Sequence, residues 1–302
     1  MLRSVVAIVS GGTSGLGAAT VSAIIQRGGK VVVADLPNTK ERYLRLAATA
    51  GAEAHRVSAY LGDTYEPYAL NKDVQKEDDL SDASIAFAET DVRSEQDIVN
   101  ALDLAESKFG DRVNTVVNCA GICPTRKTLS KRKVSPDHDD YSEQHPFRLH
   151  NLEEFREVLE INTLGTFNLS RLASERMAQR EADKEGMRGC IINTASIAGY
   201  EGRVGQVAYA TSKGGIVGMT LPLARDLAPH GIRVMTVAPG VFQTQMMEDL
   251  PPKAVADLGK LVPCPSRLGR PDEFGSLVVS ILTNPMLNGE VIRLDGALRL
   301  PK

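Results

Sequence analysis

The sequence predicts an α/β protein: one domain built around a doubly wound, seven-stranded parallel sheet with helices on both faces. Two observations predict this class. Short apolar runs alternate with longer helical patterns along all 302 residues, which is typical of βαβ units. The apolar content of 42% is enough for a full core, and the length suits one domain better than two.

The predicted elements follow in order along the chain. Buried-strand patterns lie at 4–10, 30–36, 84–92, 112–121, 189–196, 232–240 and 289–296. Helical patterns lie at 15–28, 39–51, 94–109, 151–181 and 271–283, and in the segment that holds "AYATSK" (208–213). Two irregular stretches, about 60–82 and 123–150, are interpreted as inserted loops. Because the first insertion lengthens the chain after the second strand, it stays open which apolar run forms the third strand.

Composition excludes several classes of function. A formal net charge of −3 argues against a general binder of nucleic acid or of membrane surfaces. No apolar run reaches the length of a membrane span. The cysteines form no CxxC pair, which favours a reducing compartment and structural thiols at Cys119, Cys123, Cys190 and Cys264.

A histidine-containing stretch lies inside the second irregular segment. It combines three histidines with three aspartates: His138, His145, His150, Asp137, Asp139 and Asp140. Their spacing matches no zinc pattern, so we expect no bound metal.

A glycine-rich loop, "SGGTSGLG" (10–17), connects the first strand to the first helix. Gly11, Gly15 and Gly17 allow a tight turn and a close backbone approach, and free NH groups at a helix N-terminus favour a pyrophosphate. A plain turn is the alternative, but the position after the first strand favours a dinucleotide site in a Rossmann-type sheet of order 3-2-1-4-5-6-7.

Asp35 ends the second strand, about twenty residues beyond the loop. A carboxylate there accepts hydrogen bonds from the ribose diol of adenosine and repels a 2′-phosphate, so NAD is favoured over NADP. The loop itself contains no arginine or lysine that would hold an extra phosphate. An ordinary solvated aspartate is the alternative.

Three further features fall at the carboxyl ends of predicted strands or directly beyond them. These are "NCAG" (118–121), "NTAS" (193–196), and the pair Tyr209 and Lys213 on the next helix. Ligands bind at this edge of an open parallel sheet. Residues four apart share one helical face, so the Lys213 ammonium is expected near the Tyr209 ring, although an ordinary packed helix would show the same spacing.

The tyrosine would need help to act as a base. A free phenol has a pKa near ~10, so a neighbouring ammonium and a bound cationic nicotinamide would have to stabilise its phenolate. Lowering that pKa by ~3 units requires roughly 4 kcal/mol, which a desolvated charge pair reaches and an exposed pair does not. Ser196 is placed to hold the substrate oxygen.

Together these motifs resemble the short-chain dehydrogenase/reductase family, over nearly the whole chain. The resemblance implies an NAD-dependent oxidoreductase of secondary alcohols with the catalytic residues Ser196, Tyr209, Lys213 and Asn162. It implies that the cofactor is bound by Gly11, Ser14, Gly15, Leu16, Gly17, Asp35, Asp91, Val92, Cys119, Ala120, Gly121, Tyr209, Lys213, Pro239, Val241 and Thr244. In the family, the asparagine supports a water-linked proton path from the lysine.

Longer segments, such as "VGQVAYATSKGGIVGMTLPLARDLAPHGIRVMTVAPG" and "NPMLNGEVIRLDGALR", are similar to the 3-hydroxyacyl-CoA dehydrogenase branch of the family. That resemblance implies a short or branched 3-hydroxyacyl-CoA as substrate, a homotetramer, and a mitochondrial location. Arg3, Arg27 and Lys30, with no acid among the first 34 residues, are compatible with an uncleaved organellar signal, although the same residues also form a first strand and helix. Two alternatives remain: a hydroxysteroid or general ketone oxidoreductase, and a non-catalytic scaffold in mitochondrial tRNA processing with an RNA or methyltransferase partner.

A basic cluster lies in the second irregular stretch, which borders the expected substrate mouth. It consists of Arg126, Lys127, Lys131, Arg132 and Lys133. These cations suit the phosphates of CoA, but a solvated loop explains the same charge run. The unusual length of the stretch leaves the preferred acyl-chain length open.

Overall fold

The computed structural model describes residues 1–53, 84–131, 147–247 and 251–300, which fold around one seven-stranded sheet. The strands of this sheet and of a separate hairpin are β1 (Val6–Ser10), β2 (Lys30–Asp35), β3 (Ile85–Glu89), β4 (Thr115–Asn118), β5 (Leu129–Lys131), β6 (Phe147–Leu149), β7 (Gly189–Thr194), β8 (Ile232–Pro239) and β9 (Val291–Leu294). The sheet order is β3-β2-β1-β4-β7-β8-β9, and every pair is parallel. Apart from the hairpin β5–β6, this is the predicted order, so the predicted fold class is confirmed.

Helices cover both faces of the sheet. They are α1 (Gly15–Ile25), α2 (Lys40–Glu53), α3 (Glu95–Phe109), α4 (Leu152–Leu159), α5 (Gly165–Ala178), α6 (Ala198–Glu201), α7 (Val207–Leu227), α8 (Pro252–Lys260) and α9 (Pro271–Thr283). Alternate strand residues point to opposite faces. Val9 and Val33 therefore pack in the core with α1 and α9, whereas Ile8 and Val32 pack with α3 and α5. Burial on both faces explains why the strands are continuous apolar runs.

The third strand, left open by the sequence, is Ile85–Glu89. It pairs in parallel with β2, with Val31 opposite Ile85 and Asp35 opposite Glu89. The first predicted insertion, 60–82, lies outside the described residues. Of the second, 123–150, the structure describes 123–131 and 147–150, where the antiparallel hairpin β5–β6 forms.

The long helix predicted over 151–181 is present but is not uniform. Asn151 caps its start by accepting a hydrogen bond from the Glu153 backbone NH at 2.8 Å. A π-helical turn, Glu160–Leu164, separates α4 from α5 and carries Asn162. π-turns inside helices occur often at functional sites, and no propensity pattern in the sequence signals one.

Other element boundaries differ modestly from the prediction. The first helix ends at Ile25 rather than at the paired glycines, because the chain turns through Gly28 at a φ of +85° to enter β2. Helix α8 had no sequence prediction.

Within the described ranges, no helix is both long and apolar enough to cross a membrane. All four cysteines are free thiols.

Candidate active site

A cleft of about 630 Å³ lies at the edge of the sheet where the strands end. The segments that follow β1, β2, β3, β4, β7 and β8 all line it, as expected for ligand sites in open parallel sheets. The sequence-predicted residues among its lining are Gly11, Ser14, Gly15, Leu16, Gly17, Asp35, Asp91, Val92, Cys119, Ala120, Gly121, Ser196, Tyr209, Lys213, Pro239, Val241 and Thr244. Of the predicted residues, Asn162 alone does not line the cleft.

Glycines in the loop after β1 are packed too tightly to be replaced by residues with side chains. A Cβ on Gly17 would lie 2.1 Å from the Gly11 carbonyl oxygen, and one on Gly11 would lie 2.8 Å from the Ala120 nitrogen. Gly11 also adopts a φ of +63° and Gly15 a φ of +50°. Helix α1 begins at Gly15, and its N-cap Ser14 makes no side-chain capping hydrogen bond. The backbone of the loop therefore presents an uncapped helix N-terminus to the cleft, which suits an anionic ligand.

The Asp35 carboxylate is fixed against this loop. Its Oδ2 accepts hydrogen bonds from the Thr13 backbone NH at 3.0 Å and from the Thr13 hydroxyl at 2.6 Å. Its Oδ1 accepts one from the Leu36 backbone NH at 2.9 Å. Thr13, which sequence reasoning did not single out, thus orients the carboxylate that lines the cleft.

Lys213 lies at the floor of the cleft. Its side chain is 5% exposed, and its Nζ donates a hydrogen bond to the Thr194 carbonyl oxygen at 2.7 Å. Burial lowers the pKa of this ammonium from 10.5 to about 8. A pKa of 8 still leaves most of the group charged at neutral pH.

Tyr209 shares a hydrogen bond with Ser196, which lowers the pKa of the phenol. Burial of the phenol and the neighbouring Cys123 thiol act in the opposite direction, and burial dominates, so the Tyr209 pKa lies above its ordinary value. The Lys213 Nζ lies 5.7 Å from the centre of the ring. In the chain alone, burial therefore outweighs the nearby Lys213 charge, and the added positive charge of a bound nicotinamide stays a prediction.

Asn162 is fully buried behind the cleft. Its Oδ1 accepts a hydrogen bond from the Ile122 backbone NH at 2.8 Å, and its Nδ2 donates to the Ile122 carbonyl at 2.9 Å and to the Ser212 hydroxyl at 3.0 Å. A Cβ added to Gly121 would lie 3.1 Å from Asn162 Oδ1 and 3.7 Å from Lys213 Nζ. The asparagine and the lysine therefore approach the same point beneath Gly121.

Several cleft residues were missed by sequence reasoning. Phe242 lies between the predicted cofactor residues Val241 and Thr244 and could have been found there. Cys123 and Gln206 share a hydrogen bond at the tyrosine end of the cleft that no motif signals. Arg42 brings a cation to the Asp35 end, and Arg203 brings one near Gln206. Neither arginine belongs to the glycine loop, so motif analysis could not place them.

The histidine–aspartate stretch falls largely in 132–146, outside the described residues, and only His150 of that set is placed. Among the placed residues, no group of three or more His, Cys, Asp or Glu side chains is arranged to hold a metal ion.

Comparisons with known proteins agree with this geometry. Residues 64–254 match the family model described as short chain dehydrogenase. The chain is 46% identical to 3-hydroxyacyl-CoA dehydrogenase type-2 of Homo sapiens over 299 residues, which cover 99% of this chain and 97% of that protein. It is 41% identical to the protein of the same name from Drosophila melanogaster over 300 residues, 99% of each. A solved structure of 3-hydroxyacyl-CoA dehydrogenase type-2 from Mycobacterium avium superposes with a TM-score of 0.77 at 34% identity, covering 98% of this chain and 96% of that one.

Proposed function

Because this chain belongs to the short-chain dehydrogenase family and is an oxidoreductase, we propose that it is an NAD-dependent 3-hydroxyacyl-CoA dehydrogenase. The reaction is the reversible oxidation of the 3-hydroxyl of a short or branched acyl-CoA to a 3-oxo group. One observation carries the proposal: Tyr209, Ser196 and Lys213 line the same cleft as the glycine loop and Asp35.

The cofactor part of the proposal is supported by the fit of the loop. Dehydrogenases of this family use a nicotinamide cofactor, and the tight packing of Gly11 and Gly17 holds the loop so that the start of α1 lines the cleft, where free backbone NH groups would suit a pyrophosphate. The fixed Asp35 carboxylate favours a ribose diol over a 2′-phosphate, which supports NAD. When bound, the nicotinamide ring supplies the hydride acceptor in oxidation and the hydride donor in reduction.

In the proposed mechanism, Ser196 holds the substrate oxygen by a hydrogen bond, and Tyr209 takes the hydroxyl proton as the carbonyl forms. Lys213 contributes positive charge beside Tyr209, because its pKa of about 8 keeps it largely protonated at neutral pH. Asn162 holds the backbone of Ile122 and supports the relay of the proton from Lys213 to water. A bound nicotinamide would add positive charge near Tyr209, which would favour the phenolate that takes the proton.

The acyl-CoA part of the proposal rests on the relatives of this chain that are named 3-hydroxyacyl-CoA dehydrogenase type-2. Positively charged side chains at the mouth of the cleft also support an acyl-CoA substrate. Arg203 lines the cleft, and the Arg126 backbone NH donates to the Gly205 carbonyl at 2.8 Å, which brings Arg126 and Lys127 beside the segment before α7. Arg132 and Lys133 of the predicted basic cluster lie outside the described residues. Arg126 is paired with Glu154 at 3.0 Å, so Lys127 and Arg203 are the better candidates for CoA phosphates.

A substrate panel tests the proposal. Purified protein is assayed by NADH absorbance with 3-hydroxyacyl-CoA thioesters of increasing chain length, a 17β-hydroxysteroid and a simple secondary alcohol. Turnover concentrated on the short or branched thioesters supports the proposal. Turnover concentrated on the steroid would replace it with the hydroxysteroid alternative.

Assembly and location are further parts of the proposal. Leu164 and Phe167 on the π-turn and α5, and Val207 and Leu221 on α7, are large exposed apolar residues that suit contact with other copies of the chain in a homotetramer. Light scattering of the purified protein tests this, and a monomer at micromolar concentration would overturn it. A mitochondrial location, proposed from the resemblance, is tested by imaging a C-terminal fluorescent fusion in cells.

A further inference from the structure

An ion network lies behind the substrate end of the cleft, centred on Arg293 of β9. Its Nη2 donates to Glu201 Oε1 at 2.6 Å and its Nη1 to Glu201 Oε2 at 3.0 Å, a two-pronged contact across 92 residues of sequence. The guanidinium carbon also lies 5.3 Å from the centre of the Tyr200 ring. The pairing raises the pKa of Arg293 and lowers that of Glu201, so both stay charged. A planar guanidinium with two bonds to one carboxylate fixes orientation as well as distance.

The same arginine holds the segment that follows β9. Its Nε donates to Asp295 Oδ2 at 2.7 Å, and its Nη2 donates to the Leu298 carbonyl at 3.1 Å. The Asp295 side chain is 7% exposed and also accepts from Arg299 at 3.2 Å and from the Ala297 backbone NH at 3.0 Å. Two arginines thus face two carboxylates, and the network is neutral overall.

The network lies behind an apolar wall of the cleft. Leu298, 1% exposed, packs with Ile197 and Val262, and Leu300 and Val241 pack against that group. Ile197, Val241 and Leu300 all line the cleft. Ile197 directly follows Ser196, and Glu201 donates its backbone NH to the Ile197 carbonyl at 3.0 Å. Arg293 therefore joins the turn that carries Ser196 to the segment that carries Leu300.

We propose that Arg293 is a positioning residue: through Glu201, Asp295 and the Leu298 carbonyl, it sets the spacing between Ser196 and the apolar wall formed by Ile197 and Leu300. It touches neither cofactor nor substrate. The acyl chain beside the reacting carbon packs against this wall, so Arg293 governs substrate binding more than the chemical step. The inference rests on the proposed function only for the identity of the acyl chain.

The energetics favour a positioning role over a stabilising one. Replacing a well-packed, largely buried ion pair with apolar residues of similar size often leaves stability unchanged. What such a pair contributes is a fixed geometry, here the spacing of the wall residues Ile197 and Leu300 against which the acyl chain packs, so its loss weakens substrate binding.

The test compares Arg293→Lys, which keeps the charge but loses the two-pronged contact, with the double variant E201M/R293M, which removes both charges and leaves Asp295 paired with Arg299. The matched control is Arg267→Lys, because Arg267 makes a similar two-pronged contact with Glu273, at 2.6 and 3.0 Å, and does not line the cleft. The readouts are KM and kcat for the best substrate, the KM for NAD, and hydrogen exchange of residues 295–300.

For both Arg293 variants we expect a substrate KM raised roughly tenfold, with kcat within about twofold and the KM for NAD unchanged. Exchange at 295–300 should be faster, and the control should alter none of these values. An unchanged substrate KM, or a fall in kcat alone, would overturn the inference. If the wild type oxidises a different secondary alcohol instead, the proposed substrate is wrong. The KM and kcat for that alcohol then test the role of Arg293. If it turns over none, slower or unchanged exchange at 295–300 overturns the inference.

Discussion

The ammonium of Lys213 lies 5.7 Å from the centre of the Tyr209 ring while it donates a 2.7 Å hydrogen bond to the Thr194 carbonyl at the end of β7. The lysine is therefore held by the sheet, and its charge reaches the tyrosine through space. Burial acts on both groups in opposite senses: it raises the Tyr209 pKa and lowers the Lys213 pKa to about 8. In the chain alone, the nearby Lys213 charge does not offset the effect of burial on the Tyr209 pKa.

Replacing Tyr209 with phenylalanine should remove the base and leave the cleft intact. We expect kcat to fall by about 10³-fold or more. The dissociation constant for NAD, measured by fluorescence titration, should stay within about twofold, because the ring keeps its shape. A variant that retains full turnover would show that another group takes the proton.

The pH dependence of stability should report the buried Lys213. Its folded pKa of about 8 lies below the unfolded value of 10.5, so the unfolded state binds more protons between these values. The burial cost is complete below pH 8 and disappears as pH rises above 10.5. Lys213→Met removes this cost. The unfolding free energy of the wild type, relative to that of the variant, should therefore rise by about 2 kcal/mol from pH 7 to pH 10. Urea unfolding at both pH values measures it, and an equal difference at both would contradict a depressed lysine pKa.

Cofactor choice should depend on two residues at the adenosine end of the cleft. Asp35→Ala removes the carboxylate that repels a 2′-phosphate and leaves Arg42, which lines the same end, free to attract one. We expect the ratio of kcat/KM for NAD over that for NADP to fall by roughly 100-fold. Adding Arg42→Ala should reverse most of the gain with NADP. A single Asp35 variant that still rejects NADP would show that the ribose is recognised elsewhere.

Removing the Asn162 side chain should damage both stability and turnover. Asn162→Ala removes the hydrogen bonds of its side chain with the Ile122 backbone and the Ser212 hydroxyl, which costs about 1–3 kcal/mol in unfolding free energy. Because the same side chain supports the backbone beside Lys213, kcat should fall about tenfold or more. The control is Asn288→Ala, whose exposed side chain accepts one hydrogen bond, from the Val234 backbone NH at 2.8 Å, and does not line the cleft, so it should lower stability without lowering kcat. Equal kcat in both variants would assign Asn162 a purely structural role.

Much of this architecture follows from local sequence patterns. The apolar runs and their intervening helices predict the sheet order, because βαβ connections restrict how strands can be arranged. The spacing of Tyr209 and Lys213 puts them on one helical face, and the position of the glycine loop after β1 predicts its place at the sheet edge.

Other features depend on contacts between residues far apart in the chain, and no local pattern carries them. The π-turn at Asn162 arises where the side chain meets Ile122 and Ser212. Arg42 and Asp35 line the same cleft only once β2 and α2 have packed, and the pairing of Arg293 with Glu201 needs strands β7, β8 and β9 to be assembled side by side. The identities of these residues can be read from the sequence, but which of them are neighbours in the fold cannot.

The most direct test is to measure kcat/KM for the oxidation of 3-hydroxybutyryl-CoA and of a 17β-hydroxysteroid, each with NAD, on the same preparation. We expect the thioester to be preferred by about 100-fold or more, because the cationic mouth and the apolar wall both act on it. Equal values for the two substrates, or a preference for the steroid, would contradict the proposed function.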